Sequence, residues 1–257
     1  MSRSGWYVYG VVDADRTLDD PGDVVRLTRE NGLAAVVAPV DLAEFENLEE
    51  RLNDRAWLEA KALEHEMVLD RMAHEGPVVP LRFGAIYRRL EDVVELLRER
   101  GDAFAADLER VRGHVELGVK GFVERPLLEE RLGREHVTTP AAASGRAYLE
   151  RRQVDREVAT EAATIVAEAA RSAHERLLER SVAGTVNRPH SRELSGRAEE
   201  MFLNAAYLVP AADESLRHEV AALGRAYAPL AVSFEVTGPW PPYNFVGQDE
   251  REEVAAG

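Results

Sequence analysis

"LAVSFEVTGPWPPYNFV", residues 230–246, changes character halfway along. Its first half alternates, with Leu230, Val232, Phe234 and Val236 on one side, the pattern of a half-buried strand. Its second half packs Pro239, Pro241 and Pro242 around Trp240 and ahead of Tyr243. Proline has no N–H to give a ladder, so the strand is expected to end there. Each proline also pushes its predecessor toward extended geometry, which makes Trp240–Pro242 a stiff polyproline-like segment. Stiff backbone presents Trp240, Tyr243 and Phe245 at low entropic cost. These rings must pack on the sheet, on another domain or on a partner.

Working back from this ending, Asp213 caps a helix whose Leu216, Val220, Leu223 and Tyr227 share a face. "MFLNAAYLV" (201–209) is a strand closed by Pro210, and 182–193 is turn and edge-strand material. From Gly145 to about Arg180 runs a long helical pattern. Its stripe is thin and Ala-rich: Val158, Ala162, Ile165, Ala169, Ala173 and Leu177. So narrow a stripe predicts a helix that projects from the domain as half of a hairpin and offers a shallow groove to a partner helix. In "HVELGVKGFVE" (114–124), Val115, Leu117, Val119 and Val123 face inward, and Glu116, Lys120 and Glu124 outward. The order from residue 114 is therefore β-α-β-β-α-β, the ferredoxin-like arrangement with an oversized first crossover.

The preceding residues alternate strands and helices. "GWYVYGVV" (5–12) reads as a buried strand. Asp19, Asp20 and Pro21 start a helix that Asn31-Gly32 stops, and "LAAVVAPV" (33–40) is a strand. A helix from Asn53 carries Ala56, Ala60, Leu63 and Met67 on one face and ends at Gly76-Pro77. "VVPLRFG" (78–84) is a third strand; Leu90, Val94, Leu97, Phe104, Leu108 and Val111 trace a further helix face. The expected fold class is α+β in two domains. These are an N-terminal α+β domain (1–112) and a ferredoxin-like domain (113–247) with a long helical insertion at about 126–182. A disordered tail follows at 248–257.

Composition limits the function. A chain of 257 residues, 45% apolar, is expected to bury a real core. It has no cysteine, which excludes disulfides, thiolate catalysis and cysteine-type metal sites and fits a reducing, cytoplasmic setting. Net charge is −15, which disfavours nucleic acid and anionic membrane surfaces. No signal peptide or transmembrane segment is read. His-Glu pairs at 65–66, 74–75, 174–175 and 218–219 lack the second histidine of His-Glu-x-x-His, so surface or interface histidines are expected. No phosphate-cradling glycine loop and no Gly-x-Ser-x-Gly elbow occurs. Neither a catalytic or metal site nor a cofactor is expected. Arg82, in an apolar run, is either an anchor for a partner's carboxylate or a solvent-facing arginine.

Four stretches, in order, carry a family resemblance: "YVYGVV" (7–12), Trp57 through His65-Glu66 to "VVPLRFG", "SGRAYLERR" (144–152) and "VTGPWPPYNFV" (236–246). Together they resemble the GvpF/GvpL family of gas vesicle proteins over residues 5–247. The resemblance implies two α+β domains, the second ferredoxin-like with an extended helical hairpin. It also implies a non-enzymatic accessory role in gas vesicle assembly, in the cytoplasm. There the protein would bind the hydrophobic main shell protein, limit its aggregation and help nucleate the vesicle, with other accessory proteins as further partners. Arg82, Trp240 and Tyr243 are the candidate partner-binding residues. A competing reading is a small-molecule or haem-binding enzyme on a ferredoxin-like scaffold, which predicts a buried histidine in an enclosed apolar pocket. An RNA-binding module is a third reading, opposed by the net charge.

Overall fold

A computed structural model describes residues 4–17, 25–45, 54–136, 145–189 and 197–247. The expected helix start at Asp19-Asp20-Pro21 and the expected tail lie outside these residues. The described chain falls into two compact units. One runs up to Glu116 and includes the segment from Trp240 on; the other is Leu117–Pro239. The sequence reading places the boundary at Gly113 and keeps 240–247 with the second unit.

In the first unit, β1 (Ser4–Asp13), β2 (Arg26–Glu30), β3 (Leu33–Asp41) and β4 (Val79–Pro80) form a sheet in the order β2-β3-β1-β4, with β5 (Ile86–Tyr87) also on β1. Residues 26–30 are thus a strand, not the end of a helix. Asn31 (φ 49°) and Gly32 (φ 82°) both take positive φ and make the tight turn of an antiparallel hairpin with Glu30 opposite Leu33. Asn-Gly suits a helix end and a hairpin turn alike; the strand partner decides. Gly10 lies where a Cβ would come within 2.7 Å of the Val79 carbonyl, so only glycine lets β4 close on β1 there.

Helix α1 (Arg55–Glu75) starts at Asp54, whose carboxylate accepts from the Trp57 N–H (3.2 Å). It covers one sheet face, packing Leu69 and Met72 on Tyr7, Tyr9, Val12, Ala34 and Val36. The other face is covered by α2 (Leu90–Glu99) and α3 (Gly101–Val111). They bury Val93, Leu97, Phe104, Leu108 and Val111 against Val8, Val11, Ala35 and Val37. The expected single helix breaks at Arg100-Gly101, and Val93 rather than Val94 points inward. "VVPLRFG" is strand only at Val79–Pro80; Arg82 to Ala85 make a turn closed by the Ala85 N–H on the Arg82 carbonyl (3.2 Å).

The second unit is a four-stranded sheet in the order β7-β8-β6-β9, from β6 (His114–Val123), β7 (Ala183–Val186), β8 (Glu200–Pro210) and β9 (Val232–Trp240). Helices α4 (Arg125–His136) and α5 (Gly145–Leu178) join β6 to β7, and α6 (Ser215–Tyr227) joins β8 to β9. Val123, Leu128, Leu132, Val158, Ala162, Val166 and Val232 share one core. The α5 stripe was legible from spacing, but its consequence was not. Ala162, Ala169, Ala173 and Leu177 are fully buried within the protein, so that stripe itself is not open to a partner. Among the described side chains of α5, those from Leu149 to Glu157 include no buried one. β9 continues through Pro239 to Trp240 instead of stopping at the first proline; it is an edge strand, where a missing donor costs no ladder bond.

Candidate functional site

From Trp240 on, the proline-rich ending belongs to the first unit. Pro241, Pro242, Phe245 and Val246 are buried. Tyr243 packs against the α1-side core, and Val246 belongs to the core on the opposite sheet face. This strap therefore reaches both layers of the unit. Three carboxylates hold it. Tyr243 donates its hydroxyl to Glu66 (3.1 Å), Asn244 donates its N–H (2.8 Å) and Nδ2 (2.6 Å) to Glu116, and the Gly247 N–H meets Asp107 (2.8 Å). Arg110 donates to the Phe245 carbonyl (3.2 Å). Glu116 is only 5% exposed, contrary to the outward placement that strand alternation predicts. A buried carboxylate is tolerable because the strap supplies its donors.

Beside the strap lies an aromatic cluster around His65, whose ring is 3% exposed, not at the surface as expected. Tyr7, Tyr9 and Phe83 approach it with centroids 5.7, 5.8 and 5.8 Å away. The Gly84 N–H donates to the Tyr7 oxygen (3.0 Å), and the Tyr7 hydroxyl shares a hydrogen bond with His65 Nδ1 (2.9 Å). Nε2 is buried without a hydrogen bond of normal geometry. Burial holds His65 below its usual pKa and pushes the Tyr7 phenol up to about 12. Glu66 is raised by burial, against the Tyr243 hydroxyl and with a contribution from Asp70.

A pH dependence follows with a definite sign. The unfolded chain protonates His65 near pH 6.5 and the folded chain only below that, so stability present above about 6.5 declines as pH falls through the folded value. Urea midpoints measured from pH 7.5 to 5 fall more steeply for the parent than for His65→Gln. Equal slopes would remove His65 from the account.

The opposite side of α1 is the unusual surface. Ala56, Ala60, Leu63 and Met67 are the stripe that the spacing assigns to the core, yet all four are exposed, Leu63 by 62% and Met67 by 64%. The buried stripe is His65, Leu69 and Met72, flanked by half-buried Trp57, Lys61 and Val68. Helix α1 is thus apolar on two sides, and periodicity alone could not rank them.

Of the three residues singled out from sequence, Arg82 is exposed in its turn and makes no ion pair with a described residue. Trp240 is 41% exposed at the strap's entrance, and Tyr243 is half-buried in the strap. The arrangement brings Tyr243 onto α1 through Glu66; Arg82 sits one residue from Phe83, which touches His65. Glu66, Asp107, Glu116, Leu63 and Met67 carry more of the site; spacing marks Leu63 and Met67 as a stripe but not as exposed, and no local signal marks the three carboxylates as strap partners. A separate open groove of about 420 Å³ is lined by Asp13, Arg98, Asp102, Glu109 and Arg112. Its arginines are paired, Arg112 with Asp13 (3.1 Å) and Arg98 with Glu30 (2.9 Å). No group of three metal-ligating side chains occurs among the described residues, and no helix there is long and apolar enough to cross a membrane.

The described chain combines two α+β units, a strapped core in the first and an exposed apolar helix face. The model of the family "Gas vesicle synthesis protein GvpL/GvpF" matches residues 5–247, and the chain belongs to that family. It is 34% identical over 241 residues to gas vesicle protein L of Streptomyces sp. (strain CB03234), covering 92% of this chain and 89% of that one. Gas vesicle protein F1 of Halobacterium salinarum is 26% identical over 249 residues, covering 93% and 92%. The crystal structure of GvpF from Anabaena sp. PCC7120 superposes with a TM-score of 0.66 at 19% identity, over 94% of this chain and 95% of that one. GvpF from Microcystis aeruginosa gives 0.64 at 18%, over 94% and 98%. These two likenesses support the mixed α+β fold.

Proposed function

We propose that this protein acts in gas vesicle assembly by binding the hydrophobic main shell protein through the outer face of α1, limiting its aggregation and helping to nucleate the vesicle. The observation that carries this reading is the stripe Ala56-Ala60-Leu63-Met67, left in water on a helix whose other side is already packed. A contiguous exposed apolar stripe is the form in which one helix receives another. Membership of a gas vesicle synthesis family supplies the setting, the gas vesicle and the cytoplasm in which it is built. Arg82 and Trp240 are further contact residues, and Tyr243 acts by holding the strap. The second unit is read as ferredoxin-like because its strands run in the spatial order second-third-first-fourth with helices at both crossovers. The enzyme reading is not favoured: the buried histidine it calls for is ringed by aromatic side chains and bonded to Tyr7.

The test is Leu63→Glu with Met67→Glu. Both side chains are exposed, so the fold should be kept within about 0.5 kcal/mol. Co-expressed shell protein should lose its co-elution with the double variant and precipitate. A variant with parental circular dichroism that still keeps the shell protein soluble would refute the proposal.

A further inference from the structure

The two borders of the α1 stripe differ in charge. With about 100° per residue, Glu59, Glu66 and Asp70 fall within about 40° of one another along one border. The opposite border mixes Arg71 with Glu64. On the acidic border the only cation is Arg55 at the helix start, which reaches Glu59 (2.8 Å). Glu66 accepts a neutral tyrosine hydroxyl, and Asp70 makes no ion pair with a described residue. Glu66 and Asp70 are four apart on one helix, a spacing at which like charges repel. Asp70 does raise the Glu66 carboxyl in this way, alongside the larger effect of burial. The helix therefore keeps a row of under-compensated negative charge beside an exposed apolar stripe.

We infer that the outer face of α1 takes an amphipathic helix whose apolar stripe is bordered on one side by lysine or arginine, set against Glu59, Glu66 and Asp70. This rests on the docking role proposed above and adds the partner's charge and orientation. Apolar contact would supply affinity, and the one-sided charge would set the direction in which the partner lies, since the reverse orientation puts its cations beside Arg71. An antiparallel second copy of this chain would set the two acidic borders against each other.

The probes are two designed 18-residue amphipathic peptides with the same leucine and alanine stripe, one with lysines and one with glutamates along the same border. Their binding to the full chain is followed by fluorescence anisotropy at 50 and 500 mM NaCl. The lysine peptide should bind roughly tenfold more tightly at low salt, and the gap should shrink at high salt. Glu59→Gln with Asp70→Asn, the first exposed and the second half-buried, should remove most of the gap and leave glutamate-peptide binding unchanged or improved. Equal affinities, no binding by either peptide, or concentration-dependent self-association that Leu63→Glu abolishes would each overturn the inference. If shell-protein capture is lost in the Leu63→Glu, Met67→Glu variant while the peptides are not discriminated, the docking role stands and the charge rule alone falls.

Discussion

Phe245→Ala lowers the stability of the first unit by about 3–5 kcal/mol, the usual cost of truncating a buried phenylalanine. The side chain is 3% exposed and sits near the far end of the chain, 135 residues from Arg110, which bonds its carbonyl. Its loss opens a cavity in the strap that joins both core layers. The measurement is urea unfolding followed by hydrogen exchange at the amides of β1 and β3, which belong to the same unit. Trp240→Ala is the control. The sequence alone allows Trp240 the same large cost, but at 41% exposure it should lose about 1 kcal/mol or less. If the two variants are equally destabilised, or if Phe245→Ala leaves β1 and β3 protection unchanged, the strap does not hold the unit together.

Glu116→Ala is the second large effect, about 3 kcal/mol. Two hydrogen bonds to a charged acceptor disappear, each of the class worth roughly 1.5–3 kcal/mol, and the Asn244 N–H and Nδ2 are left facing the cavity. Glu116→Gln keeps one acceptor oxygen and should recover about half of the loss. Limited proteolysis offers an independent readout: cleavage after Tyr243 or Phe245 should accelerate in Glu116→Ala and stay slow in the parent. Unchanged proteolysis and unchanged midpoints would show that this carboxylate is a passenger in β6.

How far the sequence can be read depends on whether a residue's partner is near it in the chain. Helix α5 was legible because a thirty-four-residue pattern repeats one stripe, and Val158, Ala162, Ala169, Ala173 and Leu177 are indeed its buried side. Alternation places β9 in the same way, and Gly76-Pro77 marks the end of α1. Asn31-Gly32 is ambiguous because the same dipeptide ends helices and turns hairpins, and residues 26–30 become a strand only when β3 pairs with them. The inner and outer stripes of α1 are both apolar, so choosing between them requires the aromatic cluster of Tyr7, Tyr9 and Phe83 that receives His65.

Spacing, turn residues and capping side chains determined by themselves where most helices and strands lie, and four ordered motifs determined the family. They act over a few residues, and each element carries its own record of them. Which face of α1 is left in water, why Glu116 can be buried, and where the proline-rich ending docks were decided only in the tertiary structure. Each depends on donors, acceptors or rings contributed from distant parts of the chain, and burial is settled by the surface that arrives, not by the pattern that awaits it.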